Sequence, residues 1–522
     1  MGAGGRSRAC GGKSKEADEV TKDHRYLAKA YSISIVDWWH VSKVYAGWVA
    51  LGLIGVSVAV LWQPLVVPAY AEVANMTKVR AALNEPLVWT MLVLVLMSIY
   101  TLTPSGKAPV YMMDFAVFEP PADWACSHDD LIEICSRHGK FSEETLAFMR
   151  RILDRSKTGQ ATHWPPGTVR LLRGEATADC SMEAAREEAR TVIFSCVDDA
   201  LKRTGLKPRD IDFLIVNCSL FVPTPSLAAM VHSHYKLRAD CRTYNLGGMG
   251  CSASVIGVDL ARQLLEASPG SRALIVSTEN LTQQLYLGGD RSMLVQNMLF
   301  RCGGAAAVLS SRATDGFRAK YKLLLTNRTQ TSDDAALSCV WQCEDDSGKR
   351  GIRLSKEVPA IAGRALKHNL TAIGPYVLPL REQFAVLVRE ALRWAHTRAT
   401  ALGETLAIPA LADLARPKPY IPNFRKGVDH FCIHAGGRAV IDGVAENLKL
   451  SRADTAPSRA CLWHYGNTSS SSIWYELRFC EQESEAWVAE DAGAPVRAGD
   501  RVLQVAFGSG FKCNSAVWLR MR

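Results

Sequence analysis

The sequence predicts an α/β protein whose helices cover largely parallel sheets, preceded by two membrane-spanning helices. Short apolar runs alternate with helical patterns from Ser181 onward, which is typical of sheets buried between helices. Two long runs near the N-terminus carry no charged side chain. A hydrophobic content of 48% in a chain of 522 residues excludes general disorder and allows a large core or two domains.

The first hundred residues or so predict a cytosolic tail, residues 1–43, and a two-span membrane anchor, residues 44–104. The uncharged runs 44–71 and 86–102 are each about as long as the roughly 20 residues that cross a bilayer as a helix. The alternative is a pair of buried core helices. Basic residues are in excess ahead of the first run, which places the N-terminus in the cytosol. Because two spans return the chain to the same side, the remaining chain is also expected in the cytosol. An apolar run this far from Met1 does not fit a cleavable signal peptide.

After the anchor, the elements follow from apolar periodicity and glycine signals. The first helical pattern ends at Gly205, the residue type expected just past a helix C-terminus. Helices are predicted at residues 181–203, 252–264 and 384–396 and around Ile441, Val444 and Leu448, and strands at 213–216, 273–277, 305–309, 431–433, 502–507 and 516–519. The proline-rich segment 407–423 predicts an ordered surface loop.

Cys251 is a candidate nucleophile. It follows the glycine-rich segment 247–250 and opens the predicted helix 252–264. At a helix start, unpaired backbone N–H groups and the positive dipole end favour thiolate over thiol, and small neighbours let a substrate carbonyl reach the sulfur. The alternative is a buried structural cysteine.

Two downstream segments add a histidine and an asparagine. His430 and His434 flank a short apolar run that leads into Gly436 and Gly437, which favours a strand that delivers His434 into a loop. Further on, Asn467 lies among small residues and offers an uncharged amide donor. Widely separated Cys, His and Asn residues form a known type of nucleophilic site.

These motifs, together with Asn280, the segment Asp-Arg-Ser-Met-Leu at 290–294 and the tail Phe-Gly-Ser-Gly-Phe-Lys-Cys-Asn at 507–514, resemble the plant and algal 3-ketoacyl-CoA synthases. These are the membrane-bound condensing enzymes of very-long-chain fatty acid elongation. The similarity runs from about Tyr111 to the C-terminus. It implies a thiolase-like α/β fold, duplicated and layered α/β/α/β/α. The implied halves are residues 105–345, which carry Cys251, and residues 346–522, which carry His434 and Asn467.

The resemblance also implies an activity, in which a long-chain acyl-CoA condenses with malonyl-CoA and carbon dioxide is lost. Cys251 would carry the acyl group, and neutral donors on His434 and Asn467 would hold the enolate oxygen. His430 matches a family position, with catalysis and a structural hydrogen bond both open.

The turn of Gly508, Ser509 and Gly510 could add a backbone N–H to the oxyanion site, and a plain strand-end loop is the alternative. Two positions depart from the family pattern, since Gln330 and Trp463 stand where histidines are usual. Two other functions stay open, the first because of the shared Cys, His and Asn set and the second because of the departures at Gln330 and Trp463. One is a condensing enzyme of the type III polyketide synthase kind, and the other is an inactive membrane-anchored scaffold of the elongation complex.

Partners and location complete the expectations. The resemblance implies an endoplasmic-reticulum membrane protein with a cytosolic catalytic domain, a homodimer that works with the ketoreductase, dehydratase and enoyl reductase of elongation. The net charge of +9 is spread along the chain, so nucleic acid is not an expected partner. The cysteines lack paired CxxC spacing, which favours reduced thiols. Neither a metal nor a cofactor is expected, because the sequence shows no complete ligand set.

Overall fold

In a computed structural model, the structure describes residues 108–139, 141–405, 417–481 and 495–522. The predicted cytosolic tail and two-span anchor, residues 1–104, lie outside the described residues. Within the described ranges, no helix has both the length and the apolar character needed to cross a membrane. Residues 108–522 form one compact unit.

The described strands are β1 Tyr111–Val117, β2 Phe213–Asn217, β3 Arg242–Leu246, β4 Arg272–Glu279, β5 Gly303–Ser310, β6 Tyr321–Gln330, β7 Val340–Glu344, β8 Arg350–Leu354, β9 His430–Ile433, β10 Arg501–Gly508 and β11 Lys512–Arg520. The described α-helices are α1 His128–His138, α2 Glu143–Ser156, α3 Pro166–Val169, α4 Met182–Thr204, α5 Leu227–Tyr235, α6 Ala253–Ala267, α7 Arg291–Leu299, α8 Ala313–Gly316, α9 Asp334–Ser338, α10 Val358–Val377, α11 Leu380–Thr405, α12 Arg438–Leu448, α13 Arg452–Tyr465 and α14 Ser472–Glu481.

The elements predicted from periodicity are confirmed with shifts at their ends, the largest at the predicted helix 384–396, which is part of α11 Leu380–Thr405. Helix 181–203 is α4, which Ser181 caps by accepting a hydrogen bond from the Ala184 N–H. Gly205 follows it with φ 66°, a left-handed conformation that glycine adopts without strain. In the predicted loop 407–423, residues 417–423 contain neither helix nor strand, and residues 407–416 lie outside the described part.

The main sheet has nine strands in the order β3-β2-β4-β5-β1-β6-β11-β10-β9, and β7 pairs with β8 apart from it. From β1 outward, strand pairing runs antiparallel to β5, antiparallel to β4 and parallel to β2. From β6 outward it repeats, antiparallel to β11, antiparallel to β10 and parallel to β9. The pairing pattern of the first set is therefore repeated in a second set of strands that begins at β6.

The prediction of largely parallel sheets is wrong, because antiparallel pairs join β1 to β5, β4 to β5, β6 to β11 and β10 to β11. A strand buried on both faces is apolar throughout whatever the direction of its neighbours. The apolar runs therefore predicted burial correctly and could not predict direction. The β10–β11 pair is joined by a short turn, which only an antiparallel pair permits.

Two helices lie between the two sets of strands. Helix α6 packs on β2 and β4 of the first set and on β6, β10 and β11 of the second, and α14 packs on β1, β5, β9 and β10. Outside them, α4 covers β1, β4 and β5, and α10 covers β6 and β11. The result is the layered order of helix, sheet, helix, sheet and helix that the resemblance implied.

Candidate active site

The two central helices begin at the same place, where the two sets of strands meet. A 3-10 turn, Gly250–Ser252, precedes α6, and a second 3-10 turn, Ser469–Ser471, precedes α14. The hydroxyl of Ser469 lies 3.5 Å from the sulfur of Cys251. The structure thus brings the predicted nucleophile together with the loop that carries Asn467.

The Cys251 thiol has a higher pKa than its position at a helix start predicted. Burial raises its pKa to about 12, the Ser469 hydroxyl opposes the rise, and the Glu279 carboxyl adds to it. The expectation that a helix start favours the thiolate is therefore wrong for the free site. A neighbouring group must instead aid loss of the thiol proton from this half-buried residue.

That neighbour is a buried carboxyl that sequence reasoning missed. Glu279 ends β4, and its Oε2 accepts the Ser469 hydroxyl at 2.9 Å. Its Oε1 accepts the backbone N–H groups of Ser219, at 3.0 Å, and Leu220, at 2.8 Å. Burial raises the pKa of Glu279, and these donors oppose the rise. The sequence signal that could have identified Glu279 is an acidic residue at the end of a mostly apolar strand.

Ser469 therefore links the thiol to a carboxyl. A hydroxyl has one hydrogen to donate. When Ser469 donates to ionised Glu279, the Cys251 thiol donates to Ser469. When Glu279 is protonated, it donates to Ser469, and Ser469 donates to the Cys251 sulfur. Ser469 has φ 55°, a conformation that a non-glycine residue holds only where its surroundings require it.

His434 follows β9 and lies inside the site. Its backbone N–H donates to the Val505 carbonyl at 2.9 Å, which extends the β9–β10 ladder by one residue. Its ring is 3% exposed, and burial lowers its pKa to about 4. The imidazole is thus neutral near pH 7, so one of its nitrogens carries a proton and can donate.

One ring nitrogen of His434 is hydrogen-bonded to a second serine. His434 Nδ1 lies 2.7 Å from the Ser472 hydroxyl, so Nε2 is the nitrogen left for a substrate. In front of it, a Cβ on Gly436 would come within 3.0 Å of Nε2. The glycine therefore leaves that nitrogen accessible.

A second buried carboxyl, also missed from the sequence, stands behind Ser472. Glu476 lies one helical turn along α14, and its pKa is raised to about 8 by burial, with the Ser472 hydroxyl among the donors that oppose the rise. Its Oε1 accepts the Ala435 N–H at 3.0 Å, and its Oε2 accepts the Ser458 hydroxyl at 3.3 Å. The spacing of Ser472 and Glu476 on one helix face was the signal that could have found this pair.

Asn467 is fixed by its own side chain and backbone. Its Oδ1 accepts the Ser469 N–H at 2.9 Å, and its Nδ2 donates to the Gly436 carbonyl at 3.3 Å. Its backbone N–H donates to the Leu299 carbonyl at 2.9 Å. The amide group has a second N–H that can point to a substrate oxygen, and the Gly436 contact joins the asparagine loop to the histidine loop.

The turn of Gly508, Ser509 and Gly510 packs directly against the nucleophile segment. A Cβ on Gly250 would lie 2.5 Å from the Ser509 nitrogen, and one on Gly508 would lie 2.5 Å from the Ser252 hydroxyl oxygen. Both glycines are therefore required by close backbone approach. Gln330 ends β6 and donates from Nε2 to the Gly510 carbonyl at 3.2 Å, so it supports this turn.

His430 does not share the site. It lies at the start of β9, and its Nε2 is 3.0 Å from the Asp500 carboxylate. Four residues of strand place it about 13 Å from His434 along β9. Of the two roles left open for His430, catalysis and a structural hydrogen bond, this position favours the structural hydrogen bond. Trp463 lies on α13 and is 53% exposed.

A small cavity adjoins the site. Its lining includes the apolar side chains of Trp164, Leu220, Leu281, Phe300 and Ile352. Leu220 also holds Glu279 through its N–H, and Phe300 forms a backbone bridge with Asn467. The side chains of Gln284, Gln296 and Asn297 complete the lining. Among the residues that the structure describes, no group of His, Cys, Asp and Glu is arranged to hold a metal ion.

Comparisons with known protein families agree with this geometry. A family described as FAE1/Type III polyketide synthase-like protein matches residues 103–394. A second, 3-oxoacyl-[acyl-carrier-protein] synthase III C terminal, matches residues 425–520. The first match contains Cys251 and Glu279, and the second contains His434 and Asn467.

Individual proteins give the same picture. The chain is 47% identical to 3-ketoacyl-CoA synthase 2 of Arabidopsis thaliana over 79% of its own length and 73% of that protein. It is 44% identical to 3-ketoacyl-CoA synthase 11 of the same plant over 88% and 85%. Among solved structures, CsyB complexed with CoA-SH matches 79% of this chain and all of that one, with a TM-score of 0.59 and 20% identity. The polyketide synthase PKS-I of the brown alga Ectocarpus siliculosus matches 80% of this chain and all of that one, with a TM-score of 0.59 and 19% identity. At such identities, the solved structures establish the fold alone.

Proposed function

The chain belongs to the 3-ketoacyl-CoA synthase family, and we propose that it joins a long-chain acyl-CoA to malonyl-CoA in very-long-chain fatty acid elongation. The products are a 3-oxoacyl-CoA, carbon dioxide and CoA. The observation that carries the proposal is the meeting of the Cys251 thiol with the loops of His434 and Asn467. Because these residues come from both halves of the chain, only the folded domain has the site.

The first step is acyl transfer to Cys251. The thiol proton passes through the Ser469 hydroxyl to Glu279, whose raised pKa makes it a competent acceptor. The sulfur attacks the acyl-CoA carbonyl, the bond to the CoA sulfur breaks, and the departing CoA takes the proton back along the same path.

The second step is decarboxylation of malonyl-CoA. The carboxylate leaves as carbon dioxide, and the electron pair moves onto the thioester, where the enolate oxygen carries the charge. Nε2–H of His434 and the free Nδ2–H of Asn467 donate to that oxygen. Both donors are neutral, so neither holds the substrate carboxylate as an ion pair and slows its loss.

The third step forms the carbon–carbon bond. The enolate carbon attacks the acyl carbonyl on Cys251, and the resulting oxyanion accepts the Cys251 N–H and an N–H of the Gly508–Gly510 turn. Collapse expels the Cys251 sulfur as a thiolate, which takes up one proton from solvent through Ser469 and Glu279, because the original thiol proton left with CoA. Atoms balance without an external base, because decarboxylation supplies the carbanion.

The test is direct. Purified protein incubated with radiolabelled long-chain acyl-CoA should retain label covalently, and addition of malonyl-CoA should release it as 3-oxoacyl-CoA. Retention of acyl label with no product would favour an inactive scaffold. Efficient extension of a coumaroyl starter, with little use of long-chain acyl-CoA, would instead favour a polyketide synthase.

The same family membership supports a location. We propose that residues 44–104 anchor the protein in the endoplasmic-reticulum membrane, with the catalytic domain in the cytosol as a homodimer beside the other elongation enzymes. The support is the pair of uncharged runs and the excess of basic residues before the first. A C-terminal tag should be digested by protease in intact microsomes, and protection until detergent is added would contradict the two-span topology.

A further inference from the structure

Helix α11, Leu380–Thr405, presents an apolar face to the surface. Phe384 is 68% exposed and Leu392 is 51% exposed. The α11 stripe is the set of exposed side chains that recur at helical spacing on this face, namely Leu380, Phe384, Leu387, Val388, Ala391, Leu392 and Ala395. Single exposed apolar residues are ordinary on a protein surface, whereas a continuous stripe marks an interaction surface.

The polar side of the same helix faces the protein. Glu382 is 2% exposed, and its carboxylate accepts Lys426 Nζ at 2.5 Å and the Tyr420 hydroxyl at 2.8 Å. Glu390 accepts Arg393 at 2.8 Å. A surface helix of a globular protein normally buries its apolar face and exposes its polar one. In α11 a row of apolar side chains is exposed instead, and the Glu382 and Glu390 carboxylates are paired within the chain.

Basic and aromatic side chains border the stripe. Arg381, Arg389 and Arg398 are exposed, and the Arg398 guanidinium lies 5.6 Å from the centre of the Trp394 ring. Trp394 is itself exposed. An apolar helix face with tryptophan and arginine at its margins is the composition that lies in the interface of an anionic bilayer.

We propose that the α11 stripe rests on the membrane surface, with Phe384 and its neighbours among the acyl chains and the bordering arginines at anionic lipid headgroups. The proposal rests on the proposed membrane anchor, which would keep the domain beside a bilayer. Charge complementarity selects this occupant. In a two-fold antiparallel pairing with a second copy, Arg381 would lie opposite Arg398 of the other helix, and like charges would oppose the contact.

The experiment uses the full chain, reconstituted in vesicles of phosphatidylcholine with phosphatidylserine. The photoreactive residue p-benzoylphenylalanine replaces Phe384 in one sample and Val388 in another. The control is the same residue at Phe317, which is 90% exposed and lies outside the stripe. Both stripe positions should crosslink to lipid at least several-fold more than the control. Crosslinking should fall in vesicles of phosphatidylcholine alone and in an Arg381→Gln/Arg398→Gln variant.

The possible results separate the two proposals. If the protein does not float with vesicles, the anchor proposal fails. If it floats but the stripe positions label lipid no more than Phe317, the docking proposal fails while the anchor stands. Crosslinking of the stripe to a second copy of the chain, or to another protein in microsomes in preference to lipid, would also overturn it.

Discussion

Replacement of Glu476 by glutamine should remove a pH dependence from malonyl-CoA decarboxylation. With its pKa raised to about 8, Glu476 is protonated near neutral pH. It can then donate to Ser472, which donates to Nδ1 of His434, so the imidazole proton sits on Nε2. Ionised Glu476 instead accepts from Ser472, which then accepts from Nδ1–H. That tautomer leaves Nε2 without the proton that the enolate oxygen needs.

The expected magnitude follows from the titration. One pH unit above the Glu476 pKa of about 8, roughly a tenth of the Glu476 carboxyls keep their proton. The wild-type decarboxylation rate should therefore be about tenfold lower at that pH than at neutral pH. Glu476→Gln has the shape of the protonated acid and should keep its rate over the same range. The control is Glu446→Gln, a charge change at an exposed position on α12, which should lose activity like the wild type.

The same shift predicts a stability change of defined sign. Because the folded-state pKa of Glu476 is raised, its proton stabilises the folded state fully below the unfolded pKa of about 4.5, and this is lost as pH rises toward about 8. The free energy of unfolding should fall by up to about 1.4 kcal/mol per pH unit in that window from this group. Glu476→Gln should lack that slope. Release of labelled carbon dioxide and denaturant titration measure the two effects, and an unchanged alkaline loss of rate in Glu476→Gln would refute the tautomer argument.

Further predictions concern the other residues of the site. Cys251→Ala should abolish both acyl-enzyme formation and elongation, whereas Cys432→Ala, in the buried strand β9, should retain the acyl-enzyme signal; elongation by the first variant would remove the nucleophile assignment. Asn467→Ala should still acylate but lose carbon dioxide release by roughly a hundredfold, the scale of one lost oxyanion donor, and a wild-type rate would exclude that role. Ser469→Ala should slow acyl transfer about tenfold or more and shift its pH profile to higher pH, as expected for loss of a general base; an unchanged profile measured with labelled acyl-CoA would exclude the proton path.

The strands and the three central side chains were predictable because each carries a local signal. Buried strands are apolar along their length, and Cys251, His434 and Asn467 lie beside glycines or small residues that mark close backbone approach. Strand direction carries no such signal, so the antiparallel pairs were missed. The protonation of Cys251 was mispredicted for a related reason. Helix position is local, whereas burial and the approach of Glu279 depend on tertiary packing.

The role of His430 stayed open for the same reason. Spacing in the sequence places His430 and His434 on one side of a strand, and does not say at which end of the strand the chemistry occurs. Only the pairing of β9 with β10 shows that His430 faces Asp500 while His434 continues to the junction. Conversely, Glu279 and Glu476 were missed because their partners are distant in sequence or look like ordinary serines.

Glu279 and Glu476 act through two serines of one short segment, residues 469–472, and this couples acyl transfer to decarboxylation. Ser469 links Cys251 to Glu279, and Ser472 links His434 to Glu476. The two serines are three residues apart at the start of α14, so a change in this segment moves both proton paths. A substitution there should therefore impair acyl transfer and decarboxylation together. Damage confined to Glu279 or Glu476 should impair one step, because Glu279 is linked to Cys251 through Ser469, whereas Glu476 is linked to His434 through Ser472.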